Sequence, residues 1–270
     1  MNQLQLALMF RIMAFKIVIL CLVAASNIVL PVFDAHAASD VMPKPTTVHF
    51  SASDDTTQLR AELFKPKGEK RFPAVVMLHG CTGIAPFADR YRQWAEDMQQ
   101  WGYVALLVDS HGPRGLKDCR SGTRNVVQER VEDAYRALRY LQAQPFIRGS
   151  HISVIGWSNG GTVLLRALDQ GKPQAAKRPT PIFRAAIAFY PKCFGNESFR
   201  TPLLMLMGAE DYRAPAAPCT ALTQAAQARG ESVVIEVYEG AGHGFDSNTT
   251  AGGAPKKAVQ QFLAKYLGQR

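Results

Sequence analysis

The residues with the clearest chemical potential lie at Gly156-Trp157-Ser158-Asn159-Gly160. An apolar, β-branched-rich run, Ile152 to Ile155, precedes them, and a helix-like run, Thr162 to Leu168, follows. A serine at the tip of a sharp strand-to-helix turn has its hydroxyl projected above the sheet. Small residues two places before and after it let strand and helix approach closely. The next N–H, that of Asn159, then points from a helix N-terminus at the oxygen that gains charge when the serine attacks a carbonyl. The chemistry such a unit performs is acyl transfer.

A serine hydroxyl needs a base to take its proton and a carboxylate to orient that base. On a strand–turn–helix scaffold of this kind the chain order is Ser, acid, His. Of the six histidines, only His243 follows Ser158, in the glycine-rich Gly240-Ala241-Gly242-His243-Gly244-Phe245. The acid is less constrained. Asp211 follows a buried-type strand in Gly208-Ala209-Glu210-Asp211 and is the first choice, with Glu210 second; Asp169, at the far end of a helix, is badly placed.

The oxyanion needs a second N–H, from the loop after the third strand. That loop reads His79-Gly80-Cys81-Thr82-Gly83, with Cys81 as the expected backbone donor and His79 as a structural hydrogen-bonder. A polar loop from Ser110 to Asn125 carries Arg114, Lys117, Arg120 and Arg124 on the same side. Arg114 could clamp a substrate carboxylate bidentately, against the competing reading of a structural or solvated arginine.

The elements that must position these groups are legible in the hydrophobic pattern. Thr46–Ser51 and Leu59–Phe64, separated by Asp54-Asp55, predict an antiparallel edge hairpin. Ala74–Leu78, Tyr103–Val108, His151–Ile155, Phe183–Phe189, Pro202–Met207 and Val233–Tyr238 read as further strands, several of them continuously apolar as buried parallel strands are. Helices are predicted near Asp89–Trp101, over the stripe Val127, Val131, Ala134, Leu138 and Leu141, near Ala216–Arg229, and over Ala258–Leu267. This alternation gives an α/β protein, a doubly wound, mostly parallel sheet with helices on both faces. The connection between Phe189 and Pro202 is too short for a large lid, so the site should be open and suit soluble esters.

The chain resembles the dienelactone hydrolase family of the α/β-hydrolase fold. The likeness runs from Leu59 to Leu267 and rests on the run from Pro73 to Gly80, Asp109-Ser110-His111-Gly112-Pro113-Arg114-Gly115, Gly156 to Gly161, Gly208 to Asp211, and Gly242-His243-Gly244-Phe245. It departs from the name-giving enzymes in two places. Those use a Cys nucleophile, where this chain has Ser158, and a Glu in the loop after the third strand, where Cys81-Thr82-Gly83 offers none. The resemblance therefore implies a serine carboxylesterase of small soluble substrates rather than an enzyme acting on dienelactone itself. No metal or other cofactor is expected. An amide or peptide hydrolase with the same triad, and a non-catalytic binding module on the same scaffold, are the alternatives.

The first residues differ from the rest. Arg11 and Lys16 precede an apolar run, and Ala35-His36-Ala37 has the small residues a signal peptidase reads. Residues 1–37 are therefore expected to be a cleaved signal peptide, with residues 38–270 as one domain, periplasmic or secreted and without stable membrane insertion after cleavage. The formal net charge is +9, but no nucleic-acid-binding motif or block of consecutive basic residues accompanies it, so no nucleic-acid partner is expected. Oligomeric state is left open. Of five cysteines, Cys21 leaves with the leader. Cys81, Cys119, Cys193 and Cys219 remain, and in an oxidising compartment an even number favours disulfides. Sequence alone permits three pairings. Placing the third and fourth strands on either side of the nucleophile region favours Cys81–Cys119, and the loops flanking strand Pro202–Met207 favour Cys193–Cys219.

Overall fold

Strand β3 (Phe72–Leu78) shows how the chain sorts its apolar residues. All its side chains are buried, but they divide by parity: Ala74, Val76 and Leu78 enter one core, and Val75 and Met77 enter the other. A strand buried on both faces has no polar positions to alternate with, which is why the run is continuously apolar. The same division holds in β4 (Val104–Asp109) and, from Ile152 onward, in β5 (Ile147–Trp157).

The computed structural model describes residues 42–52, 54–121, 126–171, 182–247 and 253–268. The expected leader, Cys21 and Arg124 lie outside the described residues. The remaining strands are β1 (Thr46–Ser51), β2 (Gln58–Phe64), β6 (Ala186–Phe189), β7 (Leu203–Gly208) and β8 (Val233–Tyr238). The helices are α1 (Ala88–Gln100), α2 (Val126–Gln142), α3 (Asn159–Leu168), α4 (Ala216–Ala228) and α5 (Ala254–Leu267). Eight strands form one sheet in the order β1-β2-β4-β3-β5-β6-β7-β8. The β1–β2 and β2–β4 pairings are antiparallel, and every later pairing is parallel. Helices α2, α3 and α4 pack on one face through Val131, Leu138, Leu164 and Leu222. Helices α1 and α5 cover the other through Trp94, Met98, Val259 and Leu263. This is the doubly wound arrangement expected.

Three details differ from the sequence reading. Strands β3 and β4 are neighbours, and β5 lies beyond β3, so the third and fourth strands do not flank the nucleophile strand. Cys81 and Cys119 are nevertheless joined, because parallel neighbours end at the same sheet edge; their Cα atoms are 4.7 Å apart. Cys193 and Cys219 are also joined, with Cα atoms 5.2 Å apart, but Cys219 stands in the first turn of α4 rather than in a loop. Third, α5 begins at Ala254, earlier than expected, because Pro255 falls in its first turn, where a missing N–H leaves no bond unmade. The connection from β6 to β7 covers only 190–202 and holds no helix or strand. No helix of the described residues is long and apolar enough to cross a membrane.

Candidate active site

Strand β5 ends at Trp157 and α3 begins at Asn159, so Ser158 alone makes the turn. Its backbone is strained, at φ 53° and ψ −117°, a region L-residues occupy only when the surroundings hold them there. Those surroundings are visible. The Ser158 N–H donates to the Phe189 carbonyl at 2.9 Å, and the Ser158 carbonyl accepts from the Thr162 N–H at 3.0 Å. Trp157 is fully buried and stacks on Phe189 with rings 5.7 Å apart. The flanking glycines are required by space: a Cβ on Gly156 would run into the Gly160 carbonyl, and one on Gly160 into the Leu78 carbonyl.

Three side chains meet at the carboxyl ends of β5, β7 and β8. His243 Nε2 lies 2.9 Å from Ser158 Oγ. His243 Nδ1 lies 2.6 Å from Asp211 Oδ2. The other carboxylate oxygen, Oδ1, accepts the Arg213 and Ala214 N–H groups, each at 2.9 Å. Asp211 is therefore clamped by backbone and has one oxygen left for the imidazole. Its neighbour Glu210 is exposed and does not bond His243. Adjacent residues project differently, and the turn after β7 aims only the second of the two inward. Asp169 instead accepts the Gly171 and Ser198 N–H groups, at 2.9 and 3.1 Å, away from this line.

Asn159 is the first residue of α3, so its N–H has no acceptor within the helix. In the facing loop the Gly80 N–H is taken by the Tyr91 hydroxyl at 2.8 Å. The Cys81 N–H has no partner among the described residues, and Cys81 lines the same cavity as Ser158 and His243. His79 is fully buried and structural in its contacts: its Nε2 accepts the Ser110 N–H at 3.2 Å, which leaves Nδ1 to donate to the Gly80 carbonyl at 2.7 Å. Burial, and then the nearby Arg130 cation, push its pKa well below the usual histidine value, so the ring is neutral.

Arg114 does not reach this cavity. Its guanidinium is buried and grips Asp133 with two hydrogen bonds, at 2.7 and 2.8 Å, while donating to the Ser110 carbonyl at 2.9 Å. The bidentate clamp expected of Arg114 exists, but its carboxylate belongs to α2 rather than to a substrate.

Other cations stand where Arg114 was expected. Arg90 and Arg213 line the cavity of about 480 Å³ around Ser158, together with Phe87 and Tyr190. The Tyr190 ring lies 4.6 Å from that of His243, and its hydroxyl bonds Asp246, which also accepts the Trp94 indole N–H at 3.0 Å. That pair anchors the histidine loop to α1 and to the end of β6. Sequence reasoning missed these residues because they come from separate parts of the chain, Phe87 and Arg90 at the start of α1, Tyr190 after β6 and Arg213 after β7. Arg130 was missed as well, although a signal existed: with Ala134, Ala137 and Leu141 it continues a buried stripe of α2. No cluster of three or more metal-ligating side chains occurs among the described residues.

The family model for the dienelactone hydrolase family matches residues 59–267. A Bradyrhizobium sp protein named "Probable 2-oxo-3-(5-oxofuran-2-ylidene)propanoate lactonase" is 25% identical over 206 residues, covering 68% of this chain and 78% of its own. Mouse dipeptidyl peptidase 8 is 28% identical over 162 residues, but these are 56% of this chain and only 17% of the peptidase. Among solved structures, the propionate-bound esterase of Thermogutta terrifontis superposes with a TM-score of 0.67 at 18% identity, over 84% of this chain and 96% of that one. The Pyrococcus furiosus esterase Pf2001 gives 0.66 at 17% identity, over 83% and 94%. These likenesses show the α/β-hydrolase fold.

Proposed function

The chain belongs to the dienelactone hydrolase family, and from that premise we propose that it is an exported serine hydrolase of small, soluble carboxylic esters. The observation that carries the proposal is His243, hydrogen-bonded on one side to Ser158 and on the other to Asp211. Ser158 attacks the ester carbonyl as His243 takes its proton. The Cys81 and Asn159 N–H groups receive the oxyanion, and His243 returns the proton to the leaving alcohol. Water then repeats the sequence on the acyl-enzyme and frees the acid. Asp211 keeps the imidazole in the tautomer that accepts at Nε2 and stabilises the imidazolium that forms.

Arg213 supports a further narrowing. It and Arg90 both line the cavity of Ser158. Arg90 is ion-paired with Asp246 at 3.7 Å, whereas Arg213 has no ion pair among the described residues, and a guanidinium there favours esters or lactones that carry a carboxylate. The Bradyrhizobium relative is named for a propanoate lactone. The likeness to dipeptidyl peptidase 8 favours a second reading, cleavage of amide bonds by the same residues. Export is supported by the two cross-links, since disulfides persist in oxidising compartments.

The test is a panel of p-nitrophenyl esters beside peptide anilides, with fluorophosphonate labelling of wild type, Asp211→Asn and Glu210→Gln. Esters should be cleaved far faster than anilides. Asp211→Asn should lose roughly 10⁴ in kcat, while Glu210→Gln should stay within about twofold, as an exposed carboxylate without a bond to His243 should. Faster anilide cleavage would move the assignment to the amide hydrolase, and an unlabelled wild type would leave a binding module.

A further inference from the structure

We propose that Arg130 is a positioning residue for the oxyanion hole, a buried cation that ties together the two backbone segments supplying its N–H donors. The inference rests on the serine-hydrolase reading above. Arg130 projects from the first turns of α2 and is 1% exposed. One terminal nitrogen donates to Asn159 Oδ1, and the other to the His79 carbonyl at 2.5 Å. Asn159 carries one proposed donor itself. His79 lies two residues before Cys81, which carries the other. A single planar fork thus spans the gap between the loop after β3 and the turn after β5.

The rest of the surroundings explain what this cation is not doing. Arg130 forms no ion pair with a carboxylate among the described residues. Asp133, one turn along α2, has both oxygens committed to Arg114. A buried charge without a paired counter-ion is unfavourable, and an apolar residue of similar volume would serve the core better. Burial pulls the guanidinium pKa down to about 10, so Arg130 still carries its charge at neutral pH. The charge therefore persists where its fork meets one oxyanion segment on each side.

The consequence is differential. An ester carbonyl is neutral in the ground state and gains negative charge as Ser158 attacks. A fixed cation behind the donors, and donors held at fixed separation, both act more strongly on the second state than on the first. Arg130 should therefore appear in kcat and in the affinity for tetrahedral analogues, and leave KM nearly unchanged. A residue that only fills the core would lower stability without that split.

The experiment compares wild type, Arg130→Met, Arg130→Lys and Ser158→Ala with p-nitrophenyl acetate, a trifluoromethyl ketone and a fluorophosphonate, with a thermal melt of each. Arg130→Met should lower kcat by roughly tenfold to a hundredfold, less than loss of a direct oxyanion donor. It should weaken the trifluoromethyl ketone by a matching factor and keep KM within about twofold. Arg130→Lys keeps the charge but not the fork, and should fall between. If Arg130→Met does not fold, Arg130→Lys carries the test. A folded variant with wild-type kcat, or one whose loss lies in KM, overturns the proposal; failure of both variants to fold also overturns it, by making Arg130 a residue of the core. If wild type takes no fluorophosphonate label, or Ser158→Ala keeps its activity, the hydrolase reading itself has failed, and the Arg130 comparison is not the cause.

Discussion

Cys81 and Cys119 are joined twice: by a disulfide, and by the Cys119 N–H, which donates to the Cys81 carbonyl at 2.8 Å. The first link is covalent and holds the chain even when it unfolds; the second exists only in the fold. Cys81 also lines the cavity around Ser158, so a residue of the site is fastened to the loop that follows β4.

Removing that link should cost stability. Cys81→Ser with Cys119→Ser opens a loop of sequence separation 38, and the chain-entropy relation puts the loss at roughly 4 kcal/mol. The midpoint of thermal unfolding should fall clearly, and kcat should fall as the loop carrying the Cys81 N–H loosens. An unchanged melting temperature would show that the bridge constrains neither state.

Ser158 should separate chemistry from strain. Ser158→Ala keeps a Cβ at φ 53° and so keeps the strained turn; activity should drop by several orders of magnitude with the melting temperature nearly unchanged. Ser158→Gly should be equally inactive but more stable, by about 1 kcal/mol, since glycine adopts this conformation without penalty. Calorimetry of the two variants checks the sign. A glycine variant less stable than the alanine one would contradict the strain argument.

Arg114 and Asp133 form a pair with side chains 1% and 0% exposed. Breaking one side of such a pair strands the other charge, and Arg114→Met should lose roughly 3–5 kcal/mol of stability. Equilibrium urea unfolding measures this. The folded fraction should keep its KM, because Arg114 does not line the cavity of Ser158. A tenfold rise in KM with stability intact would return Arg114 to the substrate.

His111 supplies a pH dependence. It is buried, both ring nitrogens lack a partner among the described residues, and burial, reinforced by the Arg130 cation, pushes its pKa from 6.5 to about 4. The unfolded chain then binds the proton more readily than the folded one between those values. Stability rises with pH across this window, is complete above about 6.5, and is lost as pH falls toward 4. His79 acts in the same direction. His111→Gln should flatten, without abolishing, the fall in melting temperature between pH 6.5 and 4. An identical profile would mean that His111 does not titrate differently on unfolding.

What the sequence by itself determined is local. Continuous apolar runs made the buried strands legible and apolar stripes spaced three to four residues apart made the helices legible, and the glycines around Ser158 marked a turn that only small neighbours permit. Chain order singled out His243, the one histidine after Ser158. Decisions between adjacent or distant groups needed the fold. Asp211 ranks ahead of Glu210 in sequence, but the two are adjacent carboxylates at one strand end, and only the turn after β7 aims Asp211 at His243 and leaves Glu210 in solvent. Arg114 reads in sequence as a substrate clamp or a structural or solvated arginine, and Arg130 draws no reading at all. The packing of α2 against the ends of β3 and β5 buries both, pairs the first with Asp133 and sets the second against His79 and Asn159. Strand order likewise escaped the sequence, because a continuous apolar strand carries no mark of which neighbour it pairs with. Hydrophobic period is a property of a segment, whereas the partner of a charge depends on which segments are brought together, and that is decided by the sheet.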